Sequence, residues 1–210
     1  LQELTGGTPA PAAATEEAAR AAEAAEVAKL FTPAEATPAP LPAPKKSPDI
    51  GHSQWLSRMA LAAENGDAAA QYQLGIQYAT GEAGTQDSAL AAEWLTKSAE
   101  QGFTDAEFSL GVLYHRGNGI SLNLLEAARY YRLAAQKGHA HAQFNLAYCY
   151  ENGEGVDQNR IEALFWYRKA AEKGDNNAQT NLAWMYHSGT GCPPNKQEAI
   201  RWWRAAAKQG

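Results

Sequence analysis

Cysteine is nearly missing from this 210-residue chain, which holds only Cys149 and Cys192. So low a content excludes a disulfide-stapled scaffold and a cysteine-rich metal module. Positive charge is also in deficit, with 18 Lys and Arg against 23 Asp and Glu. No basic stripe runs along any segment, which argues against a nucleic-acid partner. No apolar run approaches the roughly 20 residues of a membrane span. No Cys-x-x-Cys or His-Glu-x-x-His pattern is present, so no metal site and no cofactor is expected.

Aromatic residues are missing from one part of the chain. Residues 1–50 contain a single one, Phe31, yet hold eight of the ten prolines. A segment so poor in bulky apolar groups cannot offset its own ordering entropy by burial. It reads as an Ala/Pro-rich linker or tail. One island, Thr15 to Phe31, lacks Pro and Gly, with Glu16 and Glu17 where a first helical turn favours acids. Two readings stay open for it: a marginal helix in a tether, or a short docking helix anchored by Leu30 and Phe31. The chain opens on Leu1 rather than Met, so the lack of a signal peptide carries no information.

What is present beyond residue 50 is a period. Gly66, Gly102, Gly138, Gly174 and Gly210 recur every 36 residues. The same spacing carries Ala70, Ala106, Ala142 and Ala178; Leu74, Leu110, Leu146 and Leu182; and Tyr78, Tyr114, Tyr150 and Tyr186. Gly81, Gly117, Gly153 and Gly189 follow, and then the aromatic column Trp94, Tyr130, Trp166 and Trp202. Such a comb marks a repeat array, in which each unit buries its apolar face only against its neighbours. Four units are expected, over 67–102, 103–138, 139–174 and 175–210, with a leading half-repeat helix over 51–66.

Within each unit Ala, Leu and Tyr at offsets of four form a helical stripe. The tyrosine precedes a Gly-x-Gly loop in three units, a helix-ending signal; the first unit departs from it with Ala83. The second half is again helical and ends on the closing glycine. Each unit is therefore a helix A, a loop and a helix B. Gly75 and Gly111 stand inside helix A, at about 0.5–1 kcal/mol each relative to Ala, so they imply contacts too tight for a Cβ.

The third unit carries a resemblance most plainly, in Ala142-Gln143-Phe144-Asn145-Leu146-Ala147, Gly153-Glu154-Gly155-Val156 and Trp166-Tyr167-Arg168-Lys169-Ala170-Ala171-Glu172-Lys173-Gly174. The sequence resembles the Sel1-like repeat family, relatives of the tetratricopeptide repeats. The resemblance covers residues 67–210. It implies an all-α, right-handed α/α solenoid with an adaptor or scaffold role, and it names no partner.

In tetratricopeptide relatives the side of helix A away from the core lines a concave groove. Here that side carries Tyr72, Phe108 and Phe144, which are expected to pack between successive A helices. It also carries Ile76, Val112, Tyr148 and Trp184, a column growing in size toward the C-terminus. With Arg116, His141, Asn145 and Asn181 as polar flanks, that column is the expected groove for a protein or peptide partner. The last helix, around Trp202 and Trp203, shows no polar cap, so its flank is expected to meet a partner or further residues. Cys149 and Cys192 leave two readings open, a disulfide across a repeat junction or two unrelated residues. The function expected is a non-enzymatic interaction scaffold, placed extracytoplasmically in the bacterial cell envelope, with a cytoplasmic place as the alternative. A rival reading is an accessory subunit locked into a large assembly, its tail threaded over other subunits.

Overall fold

Glycines and short polar residues mark the helix ends. The computed structural model describes residues 52–81 and 86–209. The helix expected over 15–31, with Leu30 and Phe31, lies outside the described residues. Among the described residues there are nine α-helices and no strand. α1 (His52–Glu64) precedes α2 (Ala68–Thr80) and α3 (Ser88–Glu100), which form the first repeat. The second is α4 (Thr104–Arg116) with α5 (Leu124–Gln136), and the third is α6 (Ala140–Asn152) with α7 (Arg160–Glu172). The fourth is α8 (Asn176–Ser188) with α9 (Lys196–Ala207). Within the repeats, even-numbered helices are the A helices and odd-numbered ones the B helices.

Every A helix stops on a glycine at positive φ, Gly81, Gly117, Gly153 or Gly189, whose N–H returns to a carbonyl four residues back. Every B helix starts on Asp87, Asn123, Asn159 or Asn195, whose side chain accepts first-turn N–H groups. The second loop glycine has a different task. A Cβ on Gly119, Gly155 or Gly191 would overlap the backbone carbonyl of Ser88, Leu124 or Arg160, the first residue of the preceding repeat's B helix. Each A–B loop is thus seated on the helix start one repeat earlier. Inside helix A, a Cβ on Gly75 would come within 2.8 Å of Leu95, and one on Gly111 within 2.7 Å of Tyr131.

The substantial helix–helix contacts all link consecutive helices, from α1·α2 through to α8·α9. The product is an all-α solenoid whose core is a series of apolar clusters, one after another along the array. A polar clamp recurs inside it. The buried Gln71, Gln143 and Gln179 donate to the carbonyls of Ala63, Ala135 and Ala171, near the end of the preceding B-type helix. Their own repeat answers from its far end, through Gln101 to Gln71 and Gln209 to Gln179. In the second repeat a Glu107–Lys137 ion pair at 2.7 Å takes the same place.

The disulfide reading is corrected: Cys149 and Cys192 are both free. Cys149 is buried with Val112 and Tyr131 in the core joining the second and third repeats. Cys192 packs at the margin of the next core, around Tyr167 and Trp203. The two sulfurs therefore belong to different junctions. Burial pushes the Cys149 thiol up to about 12, so it stays protonated and unreactive.

Candidate functional site

The A helices lie side by side, and their side chains meet across repeats. Tyr72 and Phe103 rings are 5.1 Å apart, and Phe108 stacks on His139 at 4.4 Å. His141 Nδ1 is 3.0 Å from Asp175 Oδ2, and His115 Nε2 is 3.3 Å from Glu154 Oε2. Tyr72, Phe108 and Phe144 are buried in these seams.

This close lateral packing overturns part of the expected groove. Ile76 and Val112 are 1% and 0% exposed and belong to the core, beside Leu95 and Tyr131 respectively. Asn145 and Asn181 are buried as well. Asn181 Nδ2 donates to Tyr167 Oη at 3.1 Å, and that hydroxyl donates to Glu151 Oε2 at 2.7 Å. Asn145 and Tyr131 stand in the same register one repeat earlier, both buried, with no hydrogen bond formed by the Asn145 amide or the Tyr131 hydroxyl. The Asn181 amide thus serves the tyrosine of the preceding B helix. Leu95 stands where those tyrosines do, and Ser109 stands where the amides do, so the first junction has no tyrosine hydroxyl at this place.

Tyr148 and Trp184 stay half-exposed because their rings are larger than the space Ile76 and Val112 fill. Arg116 and His141 are exposed beside them. The Tyr148 hydroxyl is pushed up by burial and by its hydrogen bond to Glu154. His115 is pushed down by burial, against the pull of Glu154, so it is neutral at pH 7. His141 is held up by its hydrogen bond to Asp175. His187 lies between Trp184 and Trp203, with ring centroids 5.7 Å and 5.5 Å away. The surface is therefore an aromatic pair set among paired acids and imidazoles on the third and fourth repeats. Among the described residues no cluster of three or more His, Cys, Asp or Glu is placed to hold a metal. No described helix is long and apolar enough to cross a membrane.

Glu154 joins this surface without any signal in the sequence. It sits in a Gly-x-Gly loop, where helical phase assigns no direction. His115, Glu151 and His187 share one outward column of helix A, a signal that the sequence does carry. The expected terminal contact at Trp203 is corrected too. Trp203 is 0% exposed, packed edge-on against Trp184 at 5.4 Å, so the last hairpin folds this ring inward. Trp202 is half-buried on another side of α9.

The array resembles solved structures. One is a protective antigen present in uropathogenic Escherichia coli strains, displaying an SLR fold, at 37% identity and a TM-score of 0.72. The match covers 74% of this protein and 33% of that one. A Sel1 repeat protein from Oxalobacter formigenes matches at 30% identity and a TM-score of 0.69, over 77% of this protein and 49% of its own length. The sequence thus spans a third to a half of the length of these relatives. No curated protein sequence matches it. The Sel1 repeat profile matches residues 68–103, 104–139, 140–175 and 176–210, one residue later than the register read from the glycines. With four consecutive repeats matched and their hairpins stacked as described, the chain belongs to the Sel1 repeat family.

Proposed function

We propose that the protein is a non-enzymatic scaffold that binds a partner protein or peptide on its A-helix face, at the third and fourth repeats. One observation carries this reading: Tyr148 and Trp184 stand half-exposed in a column whose earlier members are buried. Large rigid aromatics at a partly dry surface, rimmed by polar groups, are the usual anchors of protein interfaces. Arg116, His141, Glu151 and Glu154 supply that rim. Glu151 and Glu154 are held by Tyr167 and by Tyr148, so acceptors are fixed in place before a partner arrives. The cell envelope is the place we propose for it. The Ala/Pro-rich tail suits a tether there, and the relative from E. coli is a protective antigen.

The test is capture of partners from extracts of the native host, with wild type beside the Tyr148→Ala/Trp184→Ala pair. Binding should weaken more than tenfold, about 1.4 kcal/mol, with the helical circular dichroism retained. Trp184 supports Trp203, so Arg116→Glu, at an exposed position, provides a second variant that leaves the core intact. Unchanged capture by both variants removes the A-helix face from consideration.

A further inference from the structure

A cleft of about 470 Å³ opens on the B-helix side of the junction between the third and fourth repeats. It is separate from the surface just described. Its wall residue Tyr186 lies two positions from Trp184 on α8, about 200° around the helix. Arg168 and Arg201, Tyr186 and Trp202 line it, with Glu172 and Glu198 beside them.

Hydrogen-bond donors predominate on its walls. Arg168 Nη2 donates to Tyr186 Oη, and the guanidinium lies 5.7 Å from the centre of that ring. It is therefore oriented before any ligand enters. The Trp202 indole N–H is buried and has no hydrogen-bond partner. Arg201 lies 5.3 Å over the Trp202 ring and holds Glu198 only at 3.3 Å, in an exposed i,i+3 pair. Such a pair is weak and can be redirected. Asn195, also in the wall, caps α9, whose N-terminus adds partial positive charge. One repeat earlier the equivalent positions hold Phe165 in place of Arg201 and Gln136 in place of Glu172, so that junction lacks the second guanidinium beside its indole.

We propose that this cleft is a second binding site, which takes a single carboxylate of a partner protein, either an Asp or Glu residue or a free C-terminus. Guanidinium forks match the planar, two-oxygen geometry of a carboxylate. The Trp202 indole lies under the Arg201 guanidinium in the cleft wall, so its ring and N–H report on what that guanidinium holds. Glu172 and Glu198 set the limit on charge, because two nearby carboxylates repel a dianion such as phosphate more than a monoanion. The same two acids favour a segment with a basic residue next to the carboxylate.

The experiment follows the indole N–H resonance of Trp202 in the ¹⁵N-labelled full-length protein, assigned by its loss in Trp202→Phe. Three peptides are titrated: acetyl-Glu-Lys-amide, acetyl-Lys-Gly with a free C-terminus, and the neutral acetyl-Gln-Lys-amide. Inorganic phosphate is titrated beside them. A saturable shift with the first peptide identifies an acidic residue as the ligand, and with the second a free C-terminus. Either should weaken at least tenfold in Arg168→Gln and in Arg201→Phe, and persist in Tyr148→Ala/Trp184→Ala. Arg201 is exposed, so its variant separates lost binding from lost folding. The proposal is overturned if neither carboxylate peptide gives a saturable shift, if the glutamine peptide matches them, or if phosphate binds as tightly.

Discussion

His139 shows how one side chain ties helix geometry to pH. It is the N-cap of α6, and its Nδ1 lies 3.1 Å from the Ala142 N–H. A backbone N–H can only donate, so Nδ1 must carry the lone pair and the imidazole must be neutral. Burial pushes His139 below its usual range, with Asp105 at 3.7 Å pulling the other way and His141, whose ring is 5.9 Å away, adding to the fall. Phe108 covers its face. The lowered value makes the unfolded protein bind the proton better. Its contribution is therefore complete above the ordinary histidine range near 6.5 and is lost as pH falls through the depressed folded value. His141, held up by Asp175, works in the opposite sense: its contribution is present at low pH and lost as pH rises through its raised value. Replacing His139 by Asn, a good cap with no titration, isolates the first effect. At pH 7 His139→Asn should match wild type within about 1 kcal/mol, while at pH 5 the variant should gain relative to wild type by about the worth of a cap, near 1 kcal/mol. Urea unfolding at the two pH values reads the difference, and a gap that does not change with pH would show that Nδ1 is not the acceptor.

At the scale of helices and loops, the glycines were legible because each does one thing that backbone geometry demands. Gly174 and Gly155 separate two such demands. Gly174 has φ of +91° and nothing within 4 Å of a built Cβ, so Gly174→Ala meets only the left-handed backbone, about 1–2 kcal/mol. Gly155 has φ of +69°, and its Cβ would run into the Leu124 carbonyl. Gly155→Ala should therefore destabilise by a further 1–3 kcal/mol, roughly the range for overpacking, and thermal unfolding of the two variants compares them directly. Equal losses would mean the loop is not seated on α5. The same scale explains what could not be read. A helical wheel assumes one buried side, and Ile76 and Val112 fell on the outer one. An A helix in this array is covered by its own B helix, by the preceding B-type helix and by A helices on its flanks. Three covered sides leave only a narrow strip exposed, and Tyr148 and Trp184 reach it through their size. The buried amide of Asn181 was hidden for a similar reason, since its tyrosine partner lies one repeat back, 14 residues away in sequence.

For the whole molecule, contacts that run chiefly between consecutive helices make stability a series of junctions rather than one core. The place of a lesion should then matter as much as its chemistry. Leu146 and Leu182 are the same residue type in the same column, and both are 0% exposed. Leu146 packs in the core joining the second and third repeats, and Leu182 in the core of the third and fourth. Truncation of either to Ala should remove about 2–5 kcal/mol from its junction. Because roughly three stacked repeats are needed for a stable array, the outcomes diverge. Leu182→Ala leaves α2 to α7 as three intact repeats and should release mainly α8 and α9. Leu146→Ala divides the array into two pairs, each below that minimum, and should lower protection along its whole length. Native-state hydrogen exchange, read helix by helix, distinguishes the two patterns. Uniform loss of protection in both variants would mean that the junctions are too strongly coupled to act separately, and that the solenoid unfolds as one body.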